Sequence, residues 1–236
     1  MYNDNSKKQE LTKIWDQMWN WNIYAEENLR KFKNKDKLKI LRKMGLSFLP
    51  RQKLLDGGCG DGRTLITFIQ EFQIIGYGLD ISTEALIKAK KNYIKEGYNI
   101  YLQQGDIRDL PYENDSFDGV LSFGVIEHFL DFKKAIKEQF RVLKPHGKVV
   151  FIQPHKYSFG PLYRKFRQWQ GKWMCGFQFE LSGKQLGQYM IECGFNKYIY
   201  HVEGPYKDMP YIYFQDHFMR FFWKGWGHYL YLIAEK

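Results

Sequence analysis

The chain has 236 residues, of which 44% are hydrophobic and 26% are charged, a composition that excludes wholesale disorder. Its length fits one α/β domain with additions, and no apolar stretch approaches the roughly 18 residues that span a bilayer. The three cysteines form no CxxC pair, which argues against a disulfide framework or a thiolate metal site. Because the first residues also lack the apolar core of a signal peptide, we expect a cytoplasmic protein.

The net charge of +10 comes from the two flanks of the chain. Residues 1–50 and 151–236 each contain 11 basic and 6 acidic side chains, whereas residues 51–150 contain 14 of each. All seven tryptophans also lie outside 51–150. This distribution indicates a neutral central unit with basic, aromatic additions that give it specificity.

Strand and helix patterns alternate through the central unit. Short apolar runs ending in glycine or aspartate predict strands, and apolar residues at helical spacing predict helices. In chain order the predicted elements are a strand at 53–56, a helix at 64–72, a strand at 74–80, a helix at 82–97 capped by Ser82 and Gly97, strands at 99–106 and 117–123, a helix at 131–145 stopped by Pro145, and a strand at 147–154. This alternation predicts a parallel sheet with helices on both faces.

The first predicted strand runs into a glycine-rich loop, LLDGGCGDG, at residues 54–62. A P-loop is excluded because Gly62 is followed by Arg63 and Thr64 instead of Lys-Ser/Thr. The dinucleotide spacing G-x-G-x-x-G fails from every glycine at which it could begin. The spacing that fits is D-x-G-x-G-x-G, formed by Asp56, Gly58, Gly60 and Gly62.

This stretch resembles the first motif of the class I S-adenosylmethionine-dependent methyltransferases, and the resemblance continues in order over about residues 53–153. It implies that Gly58 and Gly60 let the backbone approach the methionine part of S-adenosylmethionine. It also implies that Asp56 faces the ammonium and sulfonium charges of this cofactor. Weaker matches at 179–204 and 226–236 imply a closing helix, a sixth strand and a last, antiparallel strand. The implied fold is an α/β, Rossmann-like, seven-stranded mixed sheet.

The same resemblance implies further cofactor contacts at the ends of the later strands. Asp80, which closes the second strand, would accept hydrogen bonds from both ribose hydroxyls, and Ile81 would pack against the adenine. Asp106 would accept a hydrogen bond from the adenine amino group, with Ile107 on the ring. Phe123 would border the cofactor after the fourth strand.

Two histidines are candidate catalytic bases. Methyl transfer from a sulfonium mainly needs alignment and desolvation of the acceptor, and a base helps where a hydroxyl must lose its proton. His128 follows the fourth strand, and helix capping or packing is its alternative role, while His155 follows the fifth strand and faces the same rim. No metal site is implied, because Gly124 stands where some related O-methyltransferases carry a glutamate.

The chain divides into four predicted parts: an N-terminal helical cap at 1–50, the cofactor-binding core at 51–157, a lid insertion at 158–179, and a C-terminal completion of the sheet at 180–236. In the cap, one helical face carries a group of large apolar side chains that would pack or cover the cofactor, namely Leu11, Trp15, Met18 and Trp19. Trp21 or Tyr24 could also reach the site.

In the lid insertion, basic residues separate apolar ones that recur at helical spacing. These apolar residues are Leu162, Phe166, Trp169 and Trp173. Three interpretations stay open. The helix could pack on the sheet edge, line an acceptor pocket, or lie on an anionic membrane surface.

The predicted function is S-adenosylmethionine-dependent methylation, on oxygen or nitrogen, of a small or medium-sized acceptor that is anionic or lipid-like. One alternative is an RNA or protein methyltransferase, suggested by the basic, aromatic flanks. Nucleic acid is not favoured, because the Asn/Asp-Pro-Pro-Tyr/Phe motif of base-methylating enzymes is missing after the fourth strand. The other alternative is a non-catalytic cofactor-binding partner protein. Peripheral membrane contact is compatible with the flanks, and the oligomeric state is not predicted.

Overall fold

The computed structural model of the protein describes residues 4–20, 27–204, 218–223 and 225–236. For residues 4–8 and 27–33 it describes the backbone only. Trp21 and Tyr24 lie outside the described residues. The chain begins with two helices, α1 (Asp4–Asn20) and α2 (Glu27–Lys43). No helix among the described residues is long and apolar enough to cross a membrane.

Seven strands form one sheet in the order β3-β2-β1-β4-β5-β7-β6. The strands are β1 (Lys53–Gly57), β2 (Ile75–Asp80), β3 (Tyr101–Gln104), β4 (Phe117–Phe123), β5 (Leu143–Pro154), β6 (Lys197–Glu203) and β7 (Tyr229–Glu235). The first five strands pair in parallel, and β7 lies antiparallel to both β5 and β6. The predicted seven-stranded mixed sheet, including its antiparallel last strand, is confirmed.

Helices cover both faces of this sheet because the central strands are apolar on both sides. The later helices are α3 (Arg63–Phe72), α4 (Thr83–Glu96), α5 (Phe132–Val142), α6 (Gly160–Trp169) and α7 (Gly183–Glu192). Leu55 and Phe151 belong to the core on the side of α5 and α7, whereas Leu54 and Val150 belong to the core on the side of α2 and α3. The order of strands reverses between β1 and β4, which is where sheets of this kind bind ligands.

Local capping signals place α4 as predicted. The Ser82 hydroxyl accepts a hydrogen bond from the Ala85 amide, and Gly97 ends the helix in the left-handed conformation with φ 77°.

The predicted end of the next helix, at Pro145, is wrong. The helix α5 ends at Val142, and Leu143 already has extended backbone angles and pairs with Phe117 as the start of β5. A proline disfavours the helical conformation of the residue before it, so Pro145 acts on the chain earlier than its own position.

The predicted helical spacing in the lid insertion holds only as far as Trp169. Gly171, with φ 65°, follows α6, and Trp173 lies beyond it with its indole N–H donating to the Gly176 carbonyl at 3.0 Å. The apolar side chains of α6 are exposed: the exposed fraction is 61% for Leu162, 52% for Phe166 and 81% for Trp169. These three side chains therefore do not pack on the sheet edge.

Candidate functional site

A cavity of about 470 Å³ lies at the carboxyl ends of the strands, beside the point where the strand order reverses. Its volume is within the range of small-molecule sites. The structure brings to this cavity every residue predicted to contact the cofactor: Asp56, Gly58, Gly60, Asp80, Ile81, Asp106, Ile107 and Phe123. The aromatic side chains of Trp15 and Trp19, from α1, also line it.

The glycine loop is held in a conformation that few other residues could adopt. Gly58 has φ 84° and Gly60 has φ 54°, both in the left-handed region. A Cβ atom at Gly58 would lie 2.4 Å from Val125, and one at Gly60 would lie 2.7 Å from the Trp19 ring. The Gly58 amide donates to the Leu79 carbonyl at 2.7 Å, which fixes the loop against β2. The absence of a side chain at both positions therefore leaves room for Val125 and the Trp19 ring to pack against the loop.

Asp80 connects this loop to the start of α4. One carboxylate oxygen accepts from the Gly60 amide at 2.8 Å, and the other accepts from the Ser82 amide at 2.9 Å. Burial raises the pKa of this carboxyl to about 6, although the backbone donors act in the opposite direction. A carboxylate has about four acceptor positions, so acceptor capacity remains for a donor such as a ribose hydroxyl.

Asp56 is an almost fully buried acid beneath the glycine loop. Its Oδ2 atom has no hydrogen-bond partner among the described residues. Burial, followed by the nearby charge of Asp80, raises the pKa of Asp56 to about 8, while Lys37 lowers it. A buried carboxyl with an unpaired oxygen at a cavity is stabilised in its ionised form by a cationic ligand. The residues present therefore fit the ammonium and sulfonium groups of S-adenosylmethionine.

Asp106 already has a partner within the protein, which the sequence did not indicate. The Arg108 side chain donates to both carboxylate oxygens, from Nε at 3.0 Å to Oδ1 and from Nη2 at 2.7 Å to Oδ2. The same guanidinium contacts Asp131 and lies 4.7 Å from the centre of the Phe129 ring. An adenine amino group at Asp106 would share the carboxylate with Arg108, so the predicted role of Asp106 stays a prediction.

His128 lies on a 3-10 turn, Ile126–His128, and lines the cavity. Its Nδ1 is 2.9 Å from the Phe177 carbonyl oxygen, so this nitrogen carries the proton and donates it. In the neutral ring, Nε2 then has a lone pair. Burial lowers the pKa of His128, which keeps the ring neutral and able to accept a proton. The Trp15 ring packs edge-on against it, with 4.9 Å between the ring centres.

His155 has different surroundings from those expected of a base at the same rim. It is buried, its Nδ1 is 3.1 Å from the Gly227 carbonyl oxygen, and its ring packs edge-on against Tyr157. Within the described residues it does not line the cavity. These contacts are those of a histidine packed within the protein, so a role of His155 as base stays a prediction.

Two buried polar side chains of the cavity were not singled out as ligand contacts from the sequence. Glu127, 1% exposed, has an unpartnered Oε2 among the described residues, and Gln153, 2% exposed, has neither amide atom bonded there. Burial, and then the charge of Glu180, raise the pKa of Glu127 to about 8. The signal for Gln153 was a polar residue in the apolar β5 pattern, two positions after the buried Phe151 and therefore on the same face.

Known proteins with similar sequences are methyltransferases. Residues 55–151 match the family model described as a methyltransferase domain. A demethylmenaquinone methyltransferase of Staphylococcus haemolyticus is 33% identical over 167 residues, covering 61% of this chain and 69% of that protein. A 2-methyl-6-phytyl-1,4-hydroquinone methyltransferase of Oryza sativa is 37% identical over 103 residues, covering 43% of this chain and 31% of that protein. The chain spans less than half the length of several other curated relatives that it matches.

A solved structure shares the fold over almost the whole chain. It is a methyltransferase from Thermotoga maritima, which superimposes with a TM-score of 0.70 and covers 96% of this chain and 99% of its own. Its sequence identity to this chain is 20%, so the likeness concerns the fold alone.

Proposed function

Because the chain belongs to the family of S-adenosylmethionine-dependent methyltransferases, we propose that it binds S-adenosylmethionine in the cavity and methylates a small or medium-sized acceptor there. The observation that supports this most directly is the pair of buried acids around the glycine loop. Asp56 offers an unpaired carboxyl oxygen to a cation, and Asp80 keeps acceptor capacity for a diol. The two groups match opposite parts of the same cofactor.

The residues around the cavity would each perform one task. The cofactor supplies an electrophilic methyl group with a good leaving group. Gly58 and Gly60 provide a close backbone surface, while Trp15 and Trp19 cover the cavity and exclude water. His128 would accept at Nε2 the proton that a hydroxyl acceptor loses.

Cofactor binding is tested by titration calorimetry with S-adenosylmethionine. The Asp80→Ala variant should bind at least about tenfold more weakly than the unmodified protein, because a buried carboxylate loses its hydrogen bonds to the ribose. Asp109→Ala, at an exposed aspartate, is the matched control and should bind like the unmodified protein. Equal affinity in a folded Asp80→Ala protein would overturn the assignment.

We further infer that the acceptor is lipid-like and is reached at an anionic membrane surface. Leu162, Phe166 and Trp169 form one exposed apolar face of α6, and Lys165 and Arg167 lie beside them. A basic amphipathic helix with exposed tryptophan is suited to a membrane interface. The two curated relatives described above are named for demethylmenaquinone and for a phytyl-bearing hydroquinone, which is consistent with an acceptor of this kind.

A further inference from the structure

Glu127 and Gln153 give the cavity a second polar region, separate from Asp56 and Asp80. Gln153 comes from the end of β5, and Glu127 comes from the turn after β4. The Gly124 amide donates to the Ile152 carbonyl at 2.8 Å, and the Phe179 amide donates to the Glu127 carbonyl at 3.1 Å. These bonds fix the backbone at Glu127 and next to Gln153, at the edge of the sheet where both residues line the cavity.

Leaving these groups without partners is costly in a folded protein. A buried amide or carboxyl that makes no hydrogen bond loses its hydration without compensation. Gln153 and Glu127 both line the cavity, and both amide atoms of Gln153 and Oε2 of Glu127 are buried and unpartnered among the described residues. A ligand with a polar group of its own would satisfy these atoms.

We propose that Gln153 and Glu127 form the subsite for the methyl acceptor and that they select an uncharged polar group, a hydroxyl or a carbonyl. This inference rests on the proposed function, because it assumes that the acceptor enters the same cavity as the cofactor. An amide both donates and accepts hydrogen bonds, and so does a protonated carboxyl. Together they can donate a hydrogen bond to a hydroxyl or a carbonyl and accept one from a hydroxyl.

The charges around the subsite disfavour an anionic acceptor. Glu180 lies close enough for its charge to raise the pKa of Glu127, and Arg164 already holds Glu180 through both carboxylate oxygens, at 2.7 and 2.8 Å. A carboxylate or phosphate at Glu127 would therefore meet acidic groups whose nearby cation is already paired. The bound sulfonium would repel an ammonium group positioned for methyl transfer. An uncharged group avoids both repulsions.

The test uses probes that share one ring system and differ in charge. Titration calorimetry is carried out on protein saturated with S-adenosylhomocysteine at about pH 6.5, below the Glu127 pKa of about 8. We expect 2-naphthol to bind at least about tenfold more tightly than 2-naphthoate, the anionic probe. Tighter binding of 2-naphthoate would overturn the proposal.

Variants of the two side chains separate recognition from folding. Gln153→Leu keeps the side-chain size and removes the amide, so it should weaken 2-naphthol binding about tenfold without changing the affinity for S-adenosylhomocysteine. Glu127→Gln should retain the 2-naphthol affinity, because it keeps a neutral group that donates and accepts, whereas Glu127→Leu should lose it.

Gln139→Leu is the matched control. Gln139 is also fully buried and unpartnered among the described residues, but it lies on α5 and does not line the cavity. Both leucine variants should melt at the same or a higher temperature than the unmodified protein, and only Gln153→Leu should lose probe affinity. Equal 2-naphthol affinity in Gln153→Leu and unmodified protein would overturn the subsite, while failure of every protein to bind S-adenosylhomocysteine would overturn the proposed function itself.

Discussion

Asp56 shows how one side chain can prepare the cavity for a cation. Its pKa of about 8 means that the carboxyl holds its proton at neutral pH in the unliganded protein. A sulfonium and an ammonium nearby favour the ionised form, so binding of S-adenosylmethionine lowers this pKa and releases the proton. Since S-adenosylhomocysteine lacks the sulfonium charge, its binding should release fewer protons.

We therefore predict that S-adenosylmethionine binding at about pH 7 is coupled to proton release by Asp56. Titration calorimetry in phosphate and in Tris, which differ in ionisation enthalpy, should give different apparent binding enthalpies. In Asp56→Asn this difference should shrink and the affinity should fall at least about tenfold. Enthalpies that do not depend on the buffer in the unmodified protein would contradict the prediction.

His128 is the residue whose chemistry depends most on its hydrogen bond. The Phe177 carbonyl accepts from Nδ1, and burial lowers the ring pKa, so the ring is neutral at neutral pH and Nε2 has a lone pair. With a hydroxyl acceptor identified from cell-extract fractions, His128→Gln should reduce kcat about 100-fold, the usual contribution of a general base.

His155→Gln is the control for this prediction. It replaces a buried histidine that does not line the cavity within the described structure, so it should alter the melting temperature and leave kcat unchanged. Full activity of His128→Gln across the pH range would show that His128 is not the base.

At the level of secondary structure, local signals were sufficient for most of the fold. Apolar periodicity located the strands, and the side chain of Ser82 and the left-handed Gly97 fixed the ends of α4 as the sequence predicted. The end of α5 was missed because Leu143 pairs with Phe117, a contact between residues 26 positions apart. Pairing of this kind depends on tertiary structure and leaves no local pattern.

The residues of the site could also be predicted from the sequence where they depend on local features. The glycine spacing and the aspartates at strand ends are local features, and Asp56, Gly58, Gly60, Asp80 and Asp106 all line the cavity. The ion pair between Arg108 and Asp106 could not be predicted, because the sequence Asp-x-Arg is compatible with many side-chain arrangements. The exposure of α6 also could not be predicted, since its apolar spacing is the same for a buried face and for an exposed one.

The exposed face of α6 predicts binding to anionic membranes. Phe166→Ser and Trp169→Ser each remove a large exposed apolar side chain, and we expect each to reduce sedimentation with phosphatidylcholine–phosphatidylglycerol vesicles several-fold. Ile94→Ser is the matched control, because Ile94 is 70% exposed on α4 and should not affect binding. Binding that is unchanged in both α6 variants, or that is equally strong to phosphatidylcholine alone, would contradict an anionic membrane partner.

Across the whole molecule, buried titratable groups set how stability depends on pH. Asp56 and Glu127 have pKa values of about 8, far above those of an unfolded chain, so the folded protein keeps protons that the unfolded chain releases near pH 4. Their stabilising effect is complete at low pH and is lost as the pH rises to about 8. His128 and His155 have lowered pKa values and oppose this trend, but only below the ordinary histidine pKa of about 6.5.

The unliganded protein should therefore lose stability between about pH 6.5 and 8, where the two acids titrate and the histidines no longer do. We expect a loss of about 2 kcal/mol, which for a chain of this size lowers the melting temperature by about 5 °C. Thermal unfolding followed by circular dichroism should show this decrease, and Asp56→Asn combined with Glu127→Gln should remove it. Saturating S-adenosylmethionine should also reduce the decrease, because it stabilises the ionised Asp56. The prediction is wrong if the melting temperature stays constant or rises through this range and the double variant has the same melting temperatures as the unmodified protein. These acids would then not be the source of the pH dependence.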